Sequence, residues 1–384
     1  MKVGILTLPF HINYGGILQA YALQTALKNN GYDAQVVNYT TWNLLPARLC
    51  RKTRYLVYLK NSFLYLFNHA GSIRPDVKLR KNYTYLHDRL SSFVEKHIDQ
   101  IMLGDIKEHR EKLDAIIVGS DQVWRFSYQG HDFIFFLDFL PDDSEIKRIS
   151  YAASFGTDEW EYSAEETRRS ASLISKFDMV SVREKSAVEL CKRYWNITPH
   201  FVLDPTLLLE PEEYIQLTQS EEKCPTDNGL FYYFLDATDR KMDFVYRVSE
   251  ELNLQPFQLK PTEPHITKRK YKGCIFREAS ITTWLHSFLS AKFVLTDSFH
   301  GCVFSIIFNK PFYTVGNKSR GMARFDSLLE LFGLEDRLIC PAEMMTHPID
   351  AQIDWDTVNT IRQEKKNSSF MLLHETLQNK RKGK

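Results

Sequence analysis

Short apolar runs alternate with segments of helical spacing along almost the whole chain, and this alternation constrains the fold more than any other feature. VGILTLP (residues 3–9) has the character of a buried strand, GILQAYALQTALKNN (16–30) is spaced as a helix, and YDAQVVNY (32–39) is strand-like again. A strand, a crossover of this length and a second strand are the signature of a parallel sheet. The pattern continues through LDAIIVGS (113–120), RISYAASFG (148–156), a helix over 164–177, MVSVRE (179–184), the helix KSAVELCKRYW (185–195) and the strand HFVLDPTLLL (200–209), broken by Pro205. Residues 210–228 are polar, contain Pro211 and Pro225, and read as a linker. The alternation then restarts with GLFYYFLD, RKMDFVYRVSEELNL and PFQLKP, and runs on through a helix at 280–290, KFVLTD, HGCVFSIIFNK and PFYTV. Two successive units predict two Rossmann-like, doubly wound α/β domains facing across a cleft, over 1–210 and 225–345. A C-terminal helical segment, 346–384, is placed to pack back on the first domain.

The 384 residues are 43% hydrophobic and 25% charged, enough for a sizeable core. Net charge is +1, which gives no general attraction to nucleic acid. The six cysteines are scattered without a C-x-x-C pair, so neither a zinc site nor a redox motif is expected. MKVGILTLPFHINYGG does not read as a signal peptide, and no run reaches the roughly 18 apolar residues of a membrane span, so the expected location is the cytoplasm. An insertion is expected at about 44–110. From Ala34 to Pro75 there is no acid, while Arg48, Arg51, Lys52, Arg54, Lys60 and Arg74 are interleaved with aromatics. A solvated cationic face accounts for this, and so does a surface that meets anionic lipid or a lipid-linked substrate at the inner face of the membrane.

In open parallel sheets, ligands bind beyond the carboxyl ends of strands, where helix N-termini present free N–H groups. Polar residues directly after apolar strands are therefore the candidates. His11 to Gly16 includes Asn13, Tyr14, Gly15 and Gly16. Paired glycines admit close backbone approach, and an ordinary strand-to-helix turn explains the same residues. Val118 to Trp124 brings Ser120, Asp121, Gln122 and Trp124 together, a hydroxyl, carboxylate, amide and aromatic set suited to a sugar. The alternative is a capping Ser120 or Asp121 with Trp124 in the core. Arg183 after FDMV can grip phosphate or carboxylate through its planar fork, or belong with Glu184 to surface ion pairs. His300 follows Thr296, Asp297 and Ser298 and precedes Gly301, residues that argue for an open polar turn rather than a buried histidine. Asn317, Arg320 and Arg324 come after the next strand, and the two arginines share a face if helical. Arg183, His300, Arg320 and Arg324 together are placed to surround a small, multiply anionic ligand.

Taken in order, VGILTLPFHINYGGILQAYALQTAL, DAIIVGSDQVW, SYAASFG, SVREKSA, VLDPTLLL, VLTDSFHGCVFSIIFNKPF and RFDSLLELFGLEDRL resemble the polysaccharide pyruvyl transferase family, over residues 2 to 338. Two positions depart from the family pattern: no acid follows Gly15-Gly16, and Ser298-Phe299 rather than a basic residue precede His300. The resemblance implies a GT-B-like fold. It also implies transfer of the enolpyruvyl carbons of phosphoenolpyruvate onto two sugar hydroxyls, giving a pyruvate ketal, with no cofactor beyond the donor. Arg183 matches the family's donor-gripping arginine and His300 its general acid. Ser298, Phe299, Gly301, Asn317, Arg320 and Arg324 complete the implied donor site. Asn13, Tyr14, Gly15, Gly16, Ser120, Asp121, Gln122 and Trp124 form the implied acceptor site, for a glycan or a lipid-linked oligosaccharide. A nucleotide-sugar glycosyltransferase of the same shape and a non-catalytic glycan-binding protein are the rival readings.

Overall fold

A computed structural model describes residues 1–10, 13–39, 89–108, 112–129, 133–219, 227–259, 275–277, 279–316, 321–350 and 352–379. His11, Asn317, Arg320 and residues 40–75 of the basic stretch lie outside the described residues.

The first sheet contains β1 (Lys2–Leu6), β2 (Asp33–Asn38), β3 (Gln100–Met102), β4 (Ala115–Val118) and β5 (Lys147–Ser150). All neighbours are parallel, in the order β3-β2-β1-β4-β5. A parallel sheet is covered on both faces, which is why the run AIIV of β4 is buried at every residue. α1 (Tyr14–Asn29) makes the first crossover. The short strands β6 (Ser181–Val182) and β7 (His200–Phe201) pair with each other. They extend the layer through hydrogen bonds from the Ser150 N–H to the Met179 carbonyl and from the Ala153 N–H to the Ser181 carbonyl. α2 (Ala164–Ile174) opens on a Ser163/Glu166 capping box, and α3 (Lys185–Trp195) follows β6. Within the expected insertion, β3 at residues 100–102 joins the sheet beside β2.

The second sheet contains β8 (Leu230–Tyr233), β9 (Pro256–Leu259), β10 (Ile275–Arg277), β11 (Phe293–Thr296), β12 (Phe312–Val315) and β13 (Leu338–Ile339). Its order is β10-β9-β8-β11-β12-β13, again parallel. α4 (Asp239–Leu252), α5 (Ile281–Ser290), α6 (Phe299–Ile307) and α7 (Ala323–Phe332) are its helices. Strand order reverses between β1 and β4 in one sheet and between β8 and β11 in the other. A crevice opens at such a switch point because the chain leaves the two strands in opposite directions.

Two expectations fail here. HFVLDPTLLL is not one strand: after two residues of β7 the chain turns into a 3-10 helix, Pro205–Leu208, capped by the Asp204 side chain. Proline has no N–H for a ladder, but it suits the first position of a helical turn. The polar stretch after Leu209 is not merely a linker, since Pro211–Leu217 is helical and buries Tyr214 against Phe304. The C-terminal helix α8 (Trp355–Gln378) lies against the first half. Ser369 Oγ accepts the Leu203 N–H at 3.1 Å, and the Lys147 ammonium donates to the carbonyls of Thr376 and Leu377 at the helix end, where a cation is favoured. No helix among the described residues is long and apolar enough to cross a membrane.

Candidate functional site

The loops at the carboxyl ends of both sheets converge on one buried cluster of charge. Arg183 follows β6, and its guanidinium is 1% exposed. Nη1 donates to Asp204 Oδ2 at 2.6 Å, and Nη2 donates to Asp121 Oδ1 at 2.8 Å. Its Cζ lies 4.7 Å from the ring centre of Phe299, which comes from the other half, and the Arg324 Cζ lies 5.6 Å from the same ring centre. Asp121 reaches inward because it adopts φ 63, a left-handed conformation that Asp tolerates better than most residues. Gly119, at φ 122, precedes it, and a Cβ there would lie 2.2 Å from the Tyr151 carbonyl oxygen. Asp204 Oδ1 accepts from the Thr206 N–H at 3.0 Å and the Thr206 hydroxyl at 2.6 Å.

His300 enters from the second half, at the start of α6. Ser298 caps that helix by accepting the Gly301 N–H at 3.3 Å. The imidazole Nε2 lies 3.8 Å from Asp204 Oδ2 and has no hydrogen-bond partner. The expected open turn is in fact closed: His300 is 6% exposed and Asp297 is 1% exposed. The reason is that its polar side chains build the turn. Thr296 Oγ1 accepts the Ser298 N–H, and the Asp297 carboxylate takes the Leu235 and Asp236 N–H groups and the Lys241 ammonium. The opposing wall is Gly15, where a Cβ would lie 2.0 Å from His300 Nδ1. Gly15→Ala is therefore expected to displace the imidazole or part the halves. Displacement on that scale lowers kcat by about 10²-fold. Gly104→Ala, which meets nothing within 4 Å, should leave kcat unchanged in the same assay.

The charges in this cluster oppose one another. Burial is the largest single influence on Asp121 and Asp204 and disfavours the ionised carboxylates, but Arg183 and His300, joined by Arg324 at Asp121 and by the Thr206 hydrogen bonds at Asp204, together outweigh it and hold both below their ordinary range. Burial is the larger influence at Glu184, whose carboxyl is pushed up despite Arg183. It also lowers the His300 imidazole; Asp204 and Asp121 pull the value back up, while Arg183 and Arg324 push it further down. Arg324 is lowered to about 10 by burial and by the nearby Arg183. An arriving anion would stabilise both His300 and Arg324 in their charged forms.

Several expected site residues have other duties. Trp124 offers no face to a sugar. It is fully buried among Phe136, Phe155 and Trp195, with its N–H on the Phe135 carbonyl. Tyr14 stacks on Trp284 of the second half at 5.5 Å, so it joins the halves. The Ser120 hydroxyl accepts from Arg183 Nη1 and shares its one proton between the Ala152 carbonyl and Asp204, and Gln122 accepts from Arg125. Asn13 is exposed but caps α1 through the Gly16 N–H. Both terminal nitrogens of Arg183 are engaged by carboxylates, so the expected open grip on a ligand is absent in this arrangement. Glu184 forms no surface pair; it is buried and accepts the Phe155 and Gly156 N–H groups. Asp204 was not among the expected site residues, although it is a polar residue following an apolar run. Reading the stretch through Leu209 as one strand concealed it.

The profile of the family described as polysaccharide pyruvyl transferase matches residues 13–319, most of the chain and nearly all of the cluster. No curated protein matches the sequence. Among solved structures, UDP-GlcNAc 2-epimerase from Neisseria meningitidis bound to UDP-GlcNAc aligns at 11% identity with a TM-score of 0.51, covering 99% of this chain and 100% of that one. UGT89C1 from Arabidopsis thaliana complexed with UDP-L-rhamnose aligns at 13% identity with a TM-score of 0.50, covering 97% and 98%. At these identities the likeness shows the fold alone: a GT-B-like pair of Rossmann-like domains.

Proposed function

Because the chain belongs to the polysaccharide pyruvyl transferase family, we propose that it transfers the enolpyruvyl carbons of phosphoenolpyruvate to two hydroxyls of a glycan, forming a pyruvate ketal. The observation that carries this reading is the meeting of His300 and Arg324 from one half with Arg183, Asp121 and Asp204 from the other. The donor carries a phosphate and a carboxylate, and Arg324, which stays charged although burial and Arg183 oppose that form, gains a partner in such an anion. The donor's charges likewise favour imidazolium, which makes His300 an acid near neutral pH. His300 delivers a proton to the methylene carbon, and a sugar hydroxyl attacks the adjacent carbon. The bond from that carbon to the phosphate oxygen breaks. The second hydroxyl then closes the ring. Of the two hydroxyl protons released, one restores the imidazolium and the other leaves with phosphate. No cofactor enters this scheme.

The cluster is nearly sealed, so the donor enters only if the halves part. The contacts that must yield include Tyr14 on Trp284 and the hydrogen bond from the Lys185 N–H to Ser327 Oγ at 2.9 Å. The acceptor is placed among surface glycans or their lipid-linked precursors; the basic segment 34–75 is the reason for the second option and for contact with a membrane face. Thermal unfolding with separate ligands tests the donor. A site ligand at a hundredfold excess over its Kd stabilises by about 2.7 kcal/mol. Phosphoenolpyruvate is expected to do so, and to release inorganic phosphate when glycan is added. Stabilisation by UDP-sugars with no response to phosphoenolpyruvate would instead support a nucleotide-sugar enzyme.

A further inference from the structure

We propose that Asp204 is a positioning residue for His300: a carboxylate from the first half that fixes the charge and aim of the imidazole from the second. Asp204 is 2% exposed, and its Oδ1 is held by the Thr206 N–H and hydroxyl. Its loop is anchored on both sides, by Ser369 of α8 at Leu203 and by the Tyr214 hydroxyl on the Thr206 carbonyl. That leaves Oδ2, which accepts from Arg183 Nη1 at 2.6 Å and from the Ser120 hydroxyl at 3.3 Å, 3.8 Å from His300 Nε2. The longer distance exceeds a hydrogen bond, so the carboxylate acts on the ring through charge. The Nε2 position, buried and without a partner, stays available to a ligand. The groups facing His300 are Asp204, Asp121, Arg183, Arg324 and the N-terminal end of α6, while α1 presents only the uncharged Gly15. Among the described residues, Asp204 is the carboxylate within 4 Å of the ring, and it is the nearest negative charge favouring the imidazolium when a hydroxyl proton returns to the ring after each turnover.

The role in turnover rests on His300 being the acid of the proposed reaction; the coupling between carboxylate and imidazole does not. The test is therefore made first on the ligand-free full chain, by 15N-histidine NMR, with the His300 signal identified by its loss in His300→Gln. Asp204→Asn keeps the shape and removes the charge. It is expected to move the His300 titration midpoint down by about one pH unit, the scale of an opposite charge at this range. Thr206→Val removes a hydroxyl donor from Oδ1, leaves the carboxylate more basic, and is expected to move the midpoint up. Should Asp204→Asn not fold, Thr206→Val carries the test alone. A midpoint unchanged in the folded variants, or moving opposite to these directions, overturns the proposal. In activity, the acid-dependent limb of kcat/KM is expected to follow the NMR midpoint, and kcat to fall more than KM for phosphoenolpyruvate rises. A purely structural Asp204 would lower activity equally at all pH. Failure of the wild-type chain to release phosphate would refute the pyruvyl transfer reading and leave the NMR result standing.

Discussion

His300→Gln is expected to lower kcat by about 10²–10⁴-fold, the range a positioned general acid contributes. Glutamine keeps a polar side chain of comparable reach, so the loss should appear in phosphate release without loss of the folded state. Its pH dependence is the sharper signature. Burial holds the imidazole below its ordinary value, so the ligand-free protein carries it mostly neutral at pH 7. Since the acid must be protonated, wild-type kcat/KM should rise as pH falls from 8 toward 6, and that limb should be absent from His300→Gln. Stability runs the other way. Near pH 6.5 the unfolded imidazole takes up a proton that the folded one resists, so this group's contribution to stability declines as pH falls through that value. Circular dichroism confirms folding and a phosphate assay reads the rate. A variant as active as wild type at every pH would remove the acid role.

Arg183→Met is expected to destabilise the chain by about 3–5 kcal/mol at pH 8, the usual consequence of deleting one partner of a buried ion pair. Methionine fills part of the volume but leaves Asp121 Oδ1 and Asp204 Oδ2 without their guanidinium partner. In the wild type these carboxyls titrate below their unfolded values, so their contribution is present above that range and is lost as pH falls into it. In the variant, burial dominates and their values rise, so protonation becomes favourable to folding. The difference in urea midpoint between the two proteins should be largest at pH 8 and shrink toward pH 5. A difference that is small at pH 8, or independent of pH, would mean that Arg183 does not hold these carboxylates ionised.

Much of the architecture was legible because each element announced itself locally. Helix α3 falls where its spacing predicts, at Lys185–Trp195, and α8, Trp355–Gln378, lies within the C-terminal segment expected to be helical. The rule that ligand groups follow strand ends also led to Asp121, Arg183 and His300, which the structure brings together. It failed for Trp124 and for the Thr296–Ser298 turn, and for a common reason. A side chain after a strand can face the crevice or turn back into the layer beneath it. Local sequence is the same in both cases, and only the neighbours, Phe136 and Trp195 for Trp124 and Lys241 for Asp297, decide between them. Asp204 escaped because Pro205 was read as a break in a strand, whereas the proline opens a 3-10 turn that aims the carboxylate inward.

Apolar periodicity alone thus determined two parallel sheets and the strand ends where chemistry can sit, because burying a repeated face is a local demand met one element at a time. The tertiary structure alone decided which of those ends meet. The contact of His300 with Gly15, and its proximity to Asp204, join residues 285 and 96 positions apart in the chain, as their numbers show. Whether a buried imidazole is charged depends on which carboxylates and guanidiniums surround it, and no single segment of this chain carries that whole set.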